Sequence, residues 1–221
     1  MVDPVPLQQI NDPVSGKRYY LTPEGQRYQS VTSFLSELPD PILENWKKRM
    51  GKKAKQISEA AAGRGSRLHS AIESYLRNEE VVFVDPQQRH LFVQVRALLD
   101  NIDNIRMIES RMYSDRLKLA GQVDCIADFR GKLSVIDFKT STRPKPESWI
   151  SDYFSQTSAY AKMYEEHYGE EPEQSVIIMA VQDQQQPILF IKDMSDCFEL
   201  FKNYARELHQ YRLKQSENRN V

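Results

Sequence analysis

Asp124, Asp137 and Lys139 are the residues whose types and spacing most directly suggest chemistry. They lie in GQVDCIADFRGKLSVIDFKTS, Gly121 to Ser141. Arg130-Gly131 reads as a two-residue hairpin turn, because Gly permits the positive φ such turns need, although Arg is not an ideal first residue. Phe129 then pairs with Lys132. The same register sets Asp124 opposite Asp137, with Cβ atoms roughly 4.5–5.5 Å apart. Two carboxylates that close repel unless a cation neutralises them. Hard oxygen ligands suit Mg²⁺ or Mn²⁺. Lys139 lies two residues beyond Asp137 and so projects from the same strand face. Apolar Val135, Ile136 and Phe138 flank the trio, as a partly buried sheet requires. For D-x-K taken alone, a solvated strand face is the plainer alternative.

Two helical patterns add polar groups. In AAAGRGSRLHSAIESYL, His69 and Glu73 stand at i and i+4 on one face. Leu68, Ile72 and Leu76 form the adjacent apolar stripe, and Arg64 and Arg67 lie just upstream. In FSQTSAYAKMYEE, Gln156 and Tyr160 share a face in the same way. Gln offers donors and an acceptor, and Tyr can stack or donate. Alone, His69 reads more readily as a hydrogen-bonded core histidine, and Tyr160 equally as core. Glu109, in IESRMY, reads either as support for a ligand or as a strand-face salt bridge.

The elements that must position these groups follow from periodicity and caps. Residues 1–17 are expected to be an irregular arm. Residues 18–29 read as a hairpin turning at Pro23-Glu24-Gly25. Ser30 caps a short helix through Leu38. Asp40-Pro41 opens a helix to about Met50, with a cap followed by Pro at the first helical position. Gly51 allows a break before a long helix from Lys52 to Arg77, with Gly63 and Gly65 as candidate kinks. Asp85-Pro86 opens another helix to about Ile102, on whose apolar face lie Leu91, Phe92, Val95, Leu98 and Leu99. Three strands follow at 105–113, 117–129 and 132–140, then a helix at 147–168 ended by Gly169. Strands at 175–182 and 187–192 and a helix from Ser195 to Gln215 complete the chain. That order predicts an α/β (α+β) domain, with a three-strand meander in a mixed central sheet flanked by helices. Residues 18–80 would form an N-terminal hairpin and helical cap leading into the core, and residues 1–221 one domain.

The composition is that of a globular chain of 221 residues, 40% hydrophobic and 28% charged. That excludes collagen-like, low-complexity and wholly disordered classes. No apolar run is long enough for a transmembrane helix. Two cysteines, Cys125 and Cys197, cannot make a disulfide framework, a four-thiolate zinc site or an iron–sulfur cluster. The acidic start MVDPVPLQQINDP lacks a signal or transit pattern, so a cytoplasmic location is expected, in a bacterium or a phage-infected host. The net charge of −1 argues against a generally basic nucleic-acid binder. It hides an uneven distribution. Asn45–Arg67 carries eight basic residues, Lys52 and Lys53 among them, against Glu59 alone. This run is either a solvated helix face or a phosphate-tracking surface that leads into His69. Trp46, Tyr28 and Tyr20 could stack on bases or close a small core.

Together, G-R-G-x-x-x-H-x-x-x-E, G-x-x-D, D-x-K-T-S and Q-x-x-x-Y resemble the RecB-type branch of the PD-(D/E)XK nucleases, phage-encoded members included. GKLSVIDFKTSTRPKP and the upstream RYQSVTSFLS with Trp46, Arg49 and Gly51 are similar to the same group. The resemblance covers roughly residues 18 to 192. It implies a restriction-endonuclease-like core and a metal site of His69, Asp124, Asp137 and the Phe138 backbone carbonyl. Lys139 would orient the attacking water and stabilise charge. Gln156 and Tyr160 would fill the late active-site motif near the DNA backbone, and Thr140 and Ser141 would contact phosphate. One Mg²⁺ or Mn²⁺ ion fits, and a second requires Glu73 or Glu109.

Val123 stands where the nominal motif has Pro, which leaves the acid intact. The cysteines of the iron–sulfur members are absent, and so is any nucleotide-binding P-loop. The resemblance therefore implies a monomeric metal-dependent DNA exonuclease without a motor. It would prefer single strands or free ends and serve replication, repair or recombination; separately, a helical cap over residues 30–80 could form an arch through which a single strand threads. A structure-specific endonuclease of the same fold is the nearest alternative. A non-catalytic DNA-binding module and an unrelated metal-dependent phosphohydrolase are the others.

Overall fold

The computed structural model describes residues 1–2 and 5–219. Of the arm expected at 1–17, residues 3–4 lie outside the described residues. The rest is not wholly irregular, because Gln8–Asn11 forms strand β1 and pairs antiparallel with β2 (Arg18–Leu21). This edge strand is mostly exposed, so it shows no inside–outside alternation by which to recognise it. β2 pairs with β3 (Arg27–Ser30), and β3 runs parallel to β5 (Leu119–Phe129) through Gln29↔Leu119 and Ser30↔Ala120. The hairpin is thus a continuation of the central sheet and not part of a separate cap.

The meander is β4 (Ile102–Ser114), β5 and β6 (Lys132–Ser141). Arg130 and Gly131 both have positive φ, 52° and 80°, as the two-residue turn requires. β6 pairs in parallel with β7 (Gln174–Val181), and β8 (Ile188–Asp193) closes the edge. The result is a mixed eight-stranded sheet.

Helices cover both faces. α3 (Lys52–Leu76) and α4 (Pro86–Leu99) seat Leu68, Ile72, Leu91 and Val95 on Cys125, Ile136 and Phe138. α5 (Ser151–Tyr168) and α6 (Met194–Arg219) pack Phe154, Tyr160, Met163 and Phe201 against Ile126, Val135 and Ile177 on the other face. The capping residues act as their types predict. Asp85 accepts from the Gln88 N–H at 2.7 Å, and Gly169 ends α5 with φ 72°. Asp40 accepts from the N–H groups of Ile42 and Leu43 at the start of α2 (Pro41–Met50).

Two helices are shorter than their patterns. α1 spans only Val31–Phe34. The Tyr204 hydroxyl, 3.2 Å from the N–H groups of both Glu37 and Leu38, donates to the Phe34 carbonyl, taking over the partners a further turn would use. The stretch from Glu147 begins as a short 3₁₀ turn to Trp149 before α5. Among the described residues, no helix is long and apolar enough to cross a membrane.

Candidate active site

Asp124 and Asp137 stand where the sheet divides. The β5–β6 ladder ends at Cys125↔Ile136, in the register that the Arg130-Gly131 turn sets. Beyond that pair β6 continues beside β7, while β5 continues beside β4 and β3. In the gap the Phe138 N–H donates to Asp124 Oδ2 at 2.8 Å. The carboxylate satisfies a strand donor that would otherwise be buried alone, and is fixed by it. Asp124 is therefore next to β6, as the hairpin register requires, but at a fork and not in a continuous ladder.

Asp137 and Lys139 share the α5 side of β6. Lys139 Nζ donates to Asp137 Oδ1 at 2.6 Å and lies 4.8 Å from the Tyr153 ring centroid. Burial opposes the lysine charge, but Asp137 and Asp124 outweigh it and hold the ammonium above its usual range. Asp137 is 2% exposed, and its Oδ2 is buried with no hydrogen-bond partner.

His69 reaches the fork from α3. Its Nε2 lies 2.8 Å from the Phe138 carbonyl oxygen, and its Nδ1 lies 3.1 Å from Glu109 Oε1 and 3.6 Å from Asp124 Oδ1. Burial disfavours the imidazolium, yet Asp124 and Glu109 raise the group to about 9. Burial also raises the Asp124 carboxyl, against the pull of His69 and with a push from Asp137. One ligand atom each from His69, Glu109 and Asp124 lies within 4.8 Å of the others. Carboxylates with one imidazole beside them, near the Phe138 carbonyl and the unpartnered Asp137 oxygen, are a donor set that suits a hard divalent cation.

A cavity of about 350 Å³ opens above this cluster, lined also by Arg18, Thr32, Gln122, Gln156 and Tyr160. Gln156 Nε2 lies 3.5 Å from the Tyr160 hydroxyl. Tyr160 is buried and held well above the usual phenol range, so it remains protonated and can act as a donor.

Over residues 29–219 the sequence matches the model of the PD-(D/E)XK nuclease superfamily. The chain belongs to that superfamily.

Among curated proteins this PD-(D/E)XK chain is similar to mitochondrial genome maintenance exonuclease 1 from three animals. The mouse protein is 29% identical over 202 residues, covering 84% of this chain and 59% of the relative. The human protein is 28% identical over 193 residues, covering 81% and 55%. The Xenopus tropicalis protein is 29% identical over 192 residues, covering 79% and 53%. The chain thus spans little more than half the length of these relatives.

The PD-(D/E)XK fork gathers His69, Asp124, Asp137, Phe138, Lys139, Gln156 and Tyr160, but not every residue expected with them. Glu73 is drawn to Arg77 at 3.0 Å, one turn further along α3, and is not part of the ligand cluster. It lines an adjoining cavity with Glu109 and His69. Ser141 is buried and donates its hydroxyl to the Arg143 carbonyl at 2.6 Å, so it shapes the loop after β6 and is not free for phosphate. Thr140 is half-buried, and its Oγ1 would lie 3.9 Å from a Cβ on Gly65. Arg67 is paired with Asp85 at 3.1 Å, which ties α3 to the start of α4. Arg64 has a buried Nε with no hydrogen-bond partner. Lys52 and Lys53 are exposed, and Trp46 is half-buried on α2 beside Ile42 and Leu43.

Tyr20 and Tyr28 are 1% and 5% exposed and pack with Leu7 and Tyr113, so they close a core and do not stack on bases. Joining the hairpin to the sheet covers that face. Gln122, Arg18 and Thr32 were not singled out by their spacing. The signal for Gln122 was available, since it is two residues before Asp124 on the same strand.

Proposed function

We propose that this chain is a Mg²⁺- or Mn²⁺-dependent deoxyribonuclease that degrades DNA from free ends and prefers single strands, in replication, repair or recombination. The observation that carries the reading is the fork itself. There an unpartnered buried Asp137 oxygen, Asp124, His69 and a charged lysine meet beneath an open cavity. The names of the exonuclease relatives support the choice of DNA ends.

A bound divalent ion, held by His69, Asp124, Asp137 and the Phe138 carbonyl, supplies Lewis acidity at the scissile phosphate and a more acidic water. The chain's residues do the rest. Lys139, held beside Asp137, serves as an electrostatic partner for the phosphate. Its bond to Asp137 leaves two ammonium hydrogens for the phosphate and the attacking water. Tyr160 and Gln156, on α5, present donors from the cavity wall. The basic run on α2 and α3 collects the strand electrostatically, and Arg64 meets it one turn before His69.

The test is digestion of end-labelled linear and circular DNA, single- and double-stranded, with Mg²⁺, Mn²⁺ or EDTA. Asp137→Ala and Lys139→Ala are expected to abolish cutting while leaving DNA binding intact. Efficient cutting of circular single strands would replace the exonuclease with an endonuclease. Cutting retained in EDTA or in either variant would remove the mechanism.

A further inference from the structure

Glu109 carries the sharpest backbone anomaly in the site. It sits inside β4 with φ 46°, a left-handed conformation that a glutamate rarely adopts within a strand. Its neighbours Ile108 and Ser110 pair normally with Cys125 and Val123, so Glu109 stands at the register position of Asp124. Strain of this kind persists only where the surroundings over-determine it, and it clusters at functional sites. Both carboxylate oxygens are engaged. Oε1 lies 3.1 Å from His69 Nδ1, and Oε2 accepts from Gln122 Nε2 at 2.6 Å.

We propose that Glu109 is a positioning residue that fixes the rotation and tautomer of His69 so that Nε2 faces the metal position. The inference rests on the metal-dependent reading above. With Nδ1 turned to Glu109, Nε2 points at the Phe138 carbonyl oxygen 2.8 Å away, donating to it while the ring is protonated and giving its lone pair to a metal once that proton is lost. A carboxylate behind a metal-binding histidine is the general way of orienting such a ligand. Gln122 holds the second oxygen, so the Glu109 carboxylate is fixed in its orientation toward His69. The left-handed turn of β4 is what aims the carboxylate at the imidazole.

The experiment compares wild type, Glu109→Gly, Glu109→Gln and Asp137→Ala in the full chain. Mn²⁺ affinity is measured by calorimetry without DNA. The ¹⁵N–¹H correlations of the His69 ring are recorded in Mg²⁺, and melting temperature in EDTA. Glycine accepts φ 46°, so Glu109→Gly removes the carboxylate without straining the strand. It is expected to remain folded without metal, with a melting temperature in EDTA lowered only as far as the His69 imidazolium loses its Glu109 partner, to lose the single Nδ1–H signature and to weaken Mn²⁺ binding by about 10- to 100-fold. Glu109→Gln keeps an acceptor for Nδ1–H once the Gln122 amide turns over, and should retain the signature and stay closer to wild type in affinity. Wild-type Mn²⁺ affinity and ring signature in Glu109→Gly, with binding lost in Asp137→Ala, would overturn the positioning role alone. Mn²⁺ binding unaffected by Asp137→Ala would overturn the metal site and this inference with it.

Discussion

Gly121 gives the sharpest structural test of the cavity. A Cβ at this position would lie 2.7 Å from Tyr160 Cε1, 2.9 Å from its hydroxyl oxygen and 3.2 Å from Cζ. Carbon contacts are comfortable at about 3.5–4.0 Å, so Gly121→Ala must push the ring away by about 0.8 Å or more. The ring cannot simply swing out, because Tyr160 is 2% exposed and packed among Phe154, Met163 and Tyr164. Overpacking of this kind costs about 1–3 kcal/mol. At about 2–4 °C per kcal/mol for a chain this long, a midpoint cost near 2 kcal/mol lowers Tm by roughly 4–8 °C. The same displacement moves the Tyr160 hydroxyl relative to Lys139 and Asp124, and an error near 1 Å can cost about 10²-fold in rate. Thermal melting and single-strand digestion measure the two effects separately. Tyr160→Ala removes every clashing atom, so in the double variant the two losses of stability should fall short of their sum by about 0.5–3 kcal/mol. Additive losses, or a wild-type Tm in Gly121→Ala, would refute the reasoning.

Two further outcomes follow from the charges. In EDTA the His69 imidazolium is retained to about pH 9, against 6.5 for the unperturbed group. The folded state holds this proton more tightly, so its contribution is full below pH 6.5 and disappears as pH rises through 9. The contribution is at most about 3 kcal/mol. Tm of the metal-free protein should therefore fall between those pH values, and His69→Gln should flatten the decline; a Tm that rises over the window would refute the assignment. Exchanging Lys48, Lys52 and Lys53 together for Gln should lower the log–log salt slope of single-strand binding by about 2. Because all three are exposed, stability should change by no more than about 0.5 kcal/mol per site. An unchanged slope would place the DNA elsewhere.

Much of the fold was legible because local chemistry and global architecture agree. Asp40, Asp85 and Gly169 punctuate helices where their types predict, and the Arg130-Gly131 turn fixed the register that brings Asp124 to Asp137. What escaped was decided by distant partners. β1 is a polar edge strand whose only reason to be extended is β2. The truncation of α1 depends on Tyr204, 170 residues from Phe34. Tyr20 and Tyr28 looked available because an isolated hairpin would expose them. Their burial follows from β3 joining β5, a parallel pairing that no turn signals.

The same distinction separates the parts of the site. Asp124, Asp137 and Lys139 were readable because a single hairpin contains all three, and a period of two fixes their faces. Glu73 shows the complementary limit. Helical spacing correctly put it beside His69, but it could not say that Arg77, a further turn along, would take its carboxylate. Glu109 was left ambiguous because strand periodicity assumes extended backbone, and at φ 46° that assumption fails at the residue in question. The salt-bridge and ligand-support readings of Glu109 were therefore never true alternatives. Its ion pair is with His69, so the contact that would have marked it as a surface residue is the one that joins it to the residues at the fork.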